Sequence, residues 1–343
     1  MTIKIPGEIP AAIPEKMRAI SIGEDDSPAS LSLTEHNTPR PDTHEILVKI
    51  GAAGVNRGDC YQRMGLYPPP PGASEIMGLE FAGTVVACGS DVTRWQPGAR
   101  IAGLVAGGGY AEYGVVHEDH ALEISENMSF TDAAALPETI YTVWANVFEL
   151  GGLVAGETLL IHGGSSGIGT TAIQMAKAIG ARAIVTVGSD DKAQLCTDLG
   201  AVHAINYKTH DFVDEVLAMT DGHGVHAVLD MVGGDYVNRN LKCLAPQGHH
   251  VSIAVLRGHQ ASIDIRRVMG RRLHLSGSLL RPRSPAEKAR LCTELSQTIW
   301  PYVVEGKIRP VIYETFPLAD AAEAHRLMDS GEMHGKLVLT VDH

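Results

Sequence analysis

The sequence predicts an α/β chain in which a β-rich domain is interrupted by an inserted, doubly wound parallel-sheet domain. Three observations predict it. Residues 17–114 carry short β-type runs punctuated by glycine and proline, and residues 158–253 alternate strand and helix patterns. A glycine-rich loop at 163–169 joins the first strand of the alternating region to its helix. Such alternation marks βαβ units and a parallel sheet covered on both faces. The expected division is a first domain over 17–140, completed by 283–343, around an inserted domain over 141–282, with 1–16 as a loose leader. A length of 343 residues suits about two domains.

In chain order, residues 45–52, 83–88 and 100–104 read as strands. Between the first two, Tyr67-Pro68-Pro69-Pro70-Pro71-Gly72 must be an exposed loop, because proline cannot donate to a sheet interior. Residues 131–136 and 142–150 read as helices, the first with Thr131 as its N-cap. The strand at 158–162 opens the alternating region. A helix over 170–180 closed by glycine, a strand at 183–187 and a helix over 191–199 ending at Gly200 follow. Residues 202–206, 227–231 and 249–253 continue the strands. Helices over 285–304 and 318–330 and a strand at 336–341 return the chain to its first domain.

Composition excludes several classes. A net charge of −12 argues against a general polyanion binder, and no apolar run approaches the roughly 20 residues of a membrane span. Pro6, Pro10 and Pro14 make the first 16 residues no signal peptide. Cys60, Cys88, Cys196, Cys243 and Cys292 are odd in number and never paired as C-x-x-C, which excludes a disulfide framework and suits a cytoplasmic location. Of the histidines, His117 and His120 are read in a loop without a zinc-helix spacing, and His249 and His250 point to opposite faces of a strand. No metal is expected. Seven arginines between Arg257 and Arg283 against Asp264 give a local +6, read as a solvated face or a contact between protomers, with an anionic ligand or RNA as the alternative.

Glycine is abundant, 37 residues, and its sharpest use is Gly163-Gly164-Ser165-Ser166-Gly167-Ile168-Gly169. Between a strand and a helix, such a loop lets the backbone approach a pyrophosphate that the helix N-terminus stabilises. A dinucleotide is therefore expected. Short-chain dehydrogenases share part of this pattern, but they need Tyr-x-x-x-Lys, and none of the nine tyrosines has a lysine four residues on.

Further motifs narrow the reading. Gly54-Val55-Asn56-Arg57-Gly58-Asp59, the proline loop, Gly78-Leu79-Glu80-Phe81-Ala82-Gly83, Asn206-Tyr207-Lys208 and Asp230-Met231-Val232-Gly233-Gly234 stand together in one chain. With them the sequence resembles the medium-chain dehydrogenase/reductase superfamily, in its zinc-free, zeta-crystallin-like quinone oxidoreductase branch. Ser166, Ser276-Gly277-Ser278-Leu279-Leu280-Arg281 and Gly335-Lys336-Leu337-Val338-Leu339 look most like the tumour-suppressor-inducible subgroup. The resemblance implies a GroES-like catalytic domain and an inserted Rossmann domain. It implies an NADPH-dependent reduction of a quinone or enone in the cleft between them, and a homodimer paired edge to edge over residues 274–280. The zinc enzymes of the superfamily carry a cysteine where this chain has Asn56 and a histidine where it has Leu79.

Asn56 and Tyr67 are the candidate donors to the acceptor oxygen, Tyr67 having as its alternative a ring packed on its own proline loop. For the cofactor, the loop residues Gly163 to Ile168 are joined by Gly188, Ser189, Lys192 and Tyr207, and by resemblance Thr142, Ile253 and Lys336. NAD enzymes usually place a carboxylate about 20 residues past the loop; here Gly188-Ser189 stands 19 residues past Gly169 and leaves room for a 2′-phosphate. Asp190 and Asp191 speak for NAD, and Lys192 has the alternative of an exposed helix lysine. The other class of function is a nucleotide-binding protein with little turnover, in a structural, redox-sensing or RNA-binding role.

Overall fold

The computed structural model describes residues 13–343. In chain order it runs β1 (Lys16–Ile22), β2 (Leu31–Asn37), β3 (Glu45–Val55), α1 (Arg57–Arg63), β4 (Glu80–Cys88), β5 (Arg100–Leu104), β6 (Tyr113–His117), β7 (Ala121–Glu123) and α2 (Phe130–Ala134). Then come α3 (Pro137–Val143), β8 (Thr158–His162), α4 (Gly167–Ala178), β9 (Arg182–Val187), α5 (Asp190–Leu199), β10 (His203–Asn206), α6 (Phe212–Met219) and β11 (Val225–Asp230). The chain continues with α7 (Tyr236–Cys243), β12 (Leu244–Ser252), α8 (Ile265–Arg271), β13 (His274–Gly277), α9 (Pro285–Thr298) and α10 (Trp300–Val304). It closes with β14 (Ile312–Pro317), α11 (Ala321–Ser330) and β15 (Lys336–Thr340).

Two compact units result. The first comprises the described residues up to Ala135 with Glu314–Gly331 and Leu337–His343. Its main sheet orders β14-β15-β3-β4-β5-β7, with β6 also paired to β3, and β1 and β2 form a separate antiparallel ribbon. Central β3 buries Ile46, Leu47, Val48 and Ile50. The second unit comprises Leu136–Tyr313 and Glu332–Lys336. Its six strands order β10-β9-β8-β11-β12-β13, and all five neighbouring pairs are parallel. All five residues of β8 are buried, as expected of a central strand covered on both faces.

The division differs from the sequence reading. It falls after Ala135, and residues 283–313 stay with the parallel-sheet unit. The reason is α9: Glu294 accepts the Trp144 indole N–H at 2.9 Å, and Arg290 pairs with Glu149. Most of the leader, residues 1–12, lies outside the described residues; Lys16 already belongs to β1.

Other corrections have local causes. Ser129, not Thr131, caps α2, accepting the Asp132 N–H at 3.0 Å. The helix expected from 142 begins at Pro137, which suits a first helical position, and Trp144–Leu150 runs on as a π-helix. α4 starts at Gly167 because Ser166 caps it. The long helix expected over 285–304 is two helices: α9 ends at Thr298 and α10 restarts at Trp300, with Pro301, which has no N–H for a continuous ladder, in its first turn. β12 starts at Leu244 and β4 at Glu80, each earlier than read. His117 closes β6 and does not sit in a loop.

Candidate active site and nucleotide site

In the parallel-sheet unit, the chain leaves β8 through Gly163 at φ +70° and enters α4 at Ser166, whose Oγ accepts the Gly169 N–H at 3.1 Å. A side chain cannot be added to this loop freely. A Cβ on Gly169 would lie 2.4 Å from the carbonyl oxygens of Gly163 and Gly164, and one on Gly164 would lie 2.5 Å from Val185 Cβ. The glycines thus let strand, loop and helix pack closely, and the loop opens onto the positive end of a 12-residue helix, which suits a pyrophosphate. Ile168 lies in the first turn of α4 and is half-buried. Buried Lys336 runs along the loop, with Cδ only 2.6 Å from where a Gly167 Cβ would stand, and the Gly335 N–H donates to Ser165 O at 2.7 Å.

Gly188 and Ser189 follow β9. Tyr207, half-exposed after β10, places its Oη 2.9 Å from the position of a Gly188 Cβ, and Ser189 caps α5 by accepting the Lys192 N–H at 3.4 Å. Gly188, Ser189, Lys192 and Tyr207 are therefore neighbours. Beside them, Asp190 Oδ1 accepts from Asn206 Nδ2 at 2.8 Å. Thr142 sits on α3, which docks on α4 through a Thr171–Thr139 hydroxyl contact of 3.1 Å, and its Oγ1 donates to Glu138 at 3.3 Å. The Ile253 N–H donates to Asp230 O at 2.8 Å, so Ile253 stands just beyond the ends of β11 and β12.

The sequence reading missed the polar core under this loop. His162 is wholly buried, with Nε2 2.7 Å from Asn240 Oδ1 and Nδ1 2.9 Å from Thr186 Oγ1; burial pushes its pKa down. Burial opposes ionisation of Asp230, but hydrogen bonds from His250 and the Val232 N–H outweigh it and hold its pKa below the usual value. His250 faces Asp230 while His249 faces Leu150 O and stacks on His274, as strand alternation requires. Of the arginine-rich stretch, Arg266, Arg267 and Arg271 lie on or beside one face of α8, whereas Arg257 pairs with Asp235 and Arg283 with Glu149. Among the described residues, no group of three or more His, Cys, Asp or Glu side chains is arranged to hold a metal ion.

In the first unit, Asn56 is the N-cap of α1 and is buried. Its backbone N–H donates to Asp59 Oδ2 at 2.8 Å, and its Nδ2 donates to Glu80 Oε1 at 2.8 Å. Glu80 has no exposure. Gly54 makes room for it, since a Cβ there would come within 2.2 Å of Glu80 Oε1. The Tyr67 ring lies about α1, 3.5 Å from where a Gly58 Cβ would be, with buried Leu79 closer still at 2.9 Å. Asn56 and Tyr67 thus flank the first turn of one helix. Glu80 and Asp59 escaped the sequence reading, although Asn56-x-x-Asp59 is a capping-box spacing.

Comparison with known proteins agrees with this geometry. Residues 42–126 match the alcohol dehydrogenase GroES-like domain, and residues 167–295 match the family described as zinc-binding dehydrogenase. A quinone oxidoreductase from Pseudomonas aeruginosa is 33% identical over 320 residues, covering 91% of this chain and 96% of that one. A phenolphthiocerol/phthiocerol polyketide synthase chain of Mycobacterium tuberculosis is 32% identical over 313 residues, which cover 91% of this chain. This chain spans only 14% of the length of that synthase polypeptide. Among solved structures, Escherichia coli quinone oxidoreductase complexed with NADPH has a TM-score of 0.84 at 31% identity, covering 94% of this chain and 99% of that one. The CurK enoyl reductase has a TM-score of 0.84 at 26% identity, covering 96% and 100%. With both family models matched in chain order and a quinone oxidoreductase matched over nearly its full length, the chain belongs to the medium-chain dehydrogenase/reductase superfamily, in its quinone oxidoreductase branch.

Proposed function

We propose that this protein reduces quinones or related enones with NADPH and without zinc. The observation that carries the reading is Asn56, an amide held on buried Glu80 at 2.8 Å where the superfamily's zinc enzymes have a metal-binding cysteine. NADPH, when bound, supplies the hydride. The glycine loop and Lys336 hold its pyrophosphate, and Gly188, Ser189, Lys192 and Tyr207 take its 2′-phosphate. On accepting hydride, a quinone or enone places negative charge on its oxygen, and donors fixed in advance lower that barrier. Asn56 gives an amide N–H from a position set by Glu80 and Asp59. Tyr67 gives its hydroxyl, or a ring on which a flat acceptor stacks.

The relatives named as quinone oxidoreductases support the quinone; the polyketide synthase segment and the enoyl reductase support an enone, reduced by the same conjugate addition. The edge strand β13, with Leu275 exposed on it and Leu279 exposed just beyond its end, supports a homodimer paired over residues 274–280. The small-molecule acceptor is the expected partner, with neither nucleic acid nor membrane. No helix among the described residues is long and apolar enough to cross a membrane.

A steady-state NADPH oxidation screen over quinones, enones and aldehydes tests the reading. Asn56→Ala and Tyr67→Phe should each lower kcat/KM for the acceptor, by up to about 2.7–4 kcal/mol for a donor acting alone, with NADPH affinity unmoved. NADPH binding seen by fluorescence without consumption of any acceptor would replace it with the nucleotide-binding role of little turnover.

A further inference from the structure

Behind Asn56 lies a polar chain with a direction. Asp59 is wholly buried and accepts hydrogen bonds on both oxygens. The Asn56 N–H at 2.8 Å and the Tyr110 hydroxyl at 3.2 Å donate to Oδ2, and the Gly78 N–H at 3.1 Å donates to Oδ1. Asp59 thereby ties the start of α1 to the turn that leads, two residues later, to Glu80. The turn is shaped for this contact. Gly78 has φ +101°, and a Cβ there would fall 2.6 Å from Gly109 Cα and 2.7 Å from the Tyr110 ring.

Tyr110 Oη also lies 3.2 Å from Nε2 of His325, on α11, and His325 Nδ1 lies 3.1 Å from Arg63 Nη1. Arg63 is buried too, its Nη2 donating to Asp329 Oδ2 at 2.8 Å and its Nε to Asp26 O at 2.8 Å. A guanidinium only donates, so His325 Nδ1 must accept and Nε2 must carry the proton. His325 therefore donates to Tyr110, and Tyr110 donates to Asp59. Burial, with Arg63 beside it, pushes the His325 pKa down to about 3, which keeps the ring neutral and the direction fixed.

We propose that His325 and Tyr110 are positioning residues: the one-way chain Arg63–His325–Tyr110–Asp59 sets which Asp59 oxygen holds the Asn56 backbone, and so aims the Asn56 amide at the acceptor oxygen. Stability alone does not require this arrangement. Buried polar groups exchanged together for apolar ones of the same shape are often neutral for stability. What the polar chain adds is orientation, and it ends on the residue that holds Asn56. The inference rests on the role given to Asn56 above.

The test uses the full-length protein with Tyr110→Phe, His325→Leu, His325→Gln, Asn56→Ala and the double variant Asn56→Ala/Tyr110→Phe. Tyr110→Phe keeps the ring and should lower kcat with the acceptor roughly five- to tenfold, the scale of one neutral hydrogen bond, with the NADPH Kd unchanged. In the Asn56→Ala background the same substitution should lower kcat no further. His325→Leu should behave like Tyr110→Phe, and His325→Gln, which keeps a donor and an acceptor, should restore most of the rate. Wild-type kcat in Tyr110→Phe, an undiminished loss in the Asn56→Ala background, or failure of Tyr110→Phe to fold would overturn the positioning role. If Asn56→Ala is itself slow while Tyr110→Phe is not, only the positioning role falls. If Asn56→Ala is fully active, the Asn56 assignment falls and takes this inference with it.

Discussion

Replacing Ser189 with aspartate separates cofactor choice from stability. Ser189 caps α5, accepting the Lys192 N–H, and aspartate caps a helix as well as serine does. A carboxylate at a helix N-terminus also gains about 0.3–1 kcal/mol from the dipole. The melting temperature of Ser189→Asp should therefore hold or rise slightly. Cofactor preference should not hold. Two unit charges about 4 Å apart repel by roughly 1 kcal/mol in water and roughly 4 kcal/mol near a protein surface. Residue 189 is only half-buried, which places it toward the lower figure. For a phosphate of nearly two charges the penalty is then about 2–3 kcal/mol, or roughly 30- to 150-fold in NADPH affinity. NADH has no phosphate to repel and gains an acceptor for its ribose hydroxyls. The neighbouring Asp190 is turned toward Asn206, whose Nδ2 donates to its Oδ1 at 2.8 Å. Fluorescence titration with each cofactor and kcat/KM for each with one quinone measure the shift. An NADPH-to-NADH ratio in Ser189→Asp within threefold of the parent's would refute the reasoning, and so would equal use of the two cofactors by the unaltered protein.

Gly169→Ala should cost about 1–3 kcal/mol, because its Cβ meets two carbonyl oxygens at 2.4 Å that are fixed in the loop. Gly188→Ala meets the far ends of two movable side chains, Tyr207 and Lys208, and should lie within about 0.5 kcal/mol of the parent; thermal or urea unfolding of the pair checks the contrast. Exhaustive chelation should leave acceptor reduction intact, and a stoichiometric metal in the purified enzyme, by elemental analysis, would contradict the zinc-free reading. Light scattering at micromolar concentration should give twice the chain mass, and Leu275→Asp on the exposed edge strand should shift it toward the monomer.

The alternating region was legible because its signals are local. In β8 the apolar run, in the loop the glycines, and in α5 the serine cap with Gly200 at φ +119° each need only a few neighbours to declare themselves. The π-helix at 144–150 was not legible. Its spacing is stabilised from outside, by Trp144 on Glu294 150 residues away and by Ser278 on Asn146. The place of residues 283–313 was not legible for the same reason, since nothing inside α9 says which unit it will lie on.

The site divides along the same line. Asn56 and the glycine loop carry recognisable neighbours in sequence, and the loop is a candidate site by its backbone alone. Asn56 is not. An asparagine can cap a helix without aiming its amide anywhere, and its aim here comes from Glu80, 24 residues on, and from a chain reaching His325, 215 residues beyond Tyr110. Read separately, Gly54 is a strand glycine, Glu80 a charged residue opening a strand, and His325 a polar residue inside a helix. Only folding shows that the glycine exists to admit the carboxylate, with 2.2 Å left for any Cβ, and that the carboxylate exists to hold the amide. Residues that touch a ligand can be found by motif, whereas residues that aim them are found by following buried hydrogen bonds from donor to acceptor until the direction of each is forced.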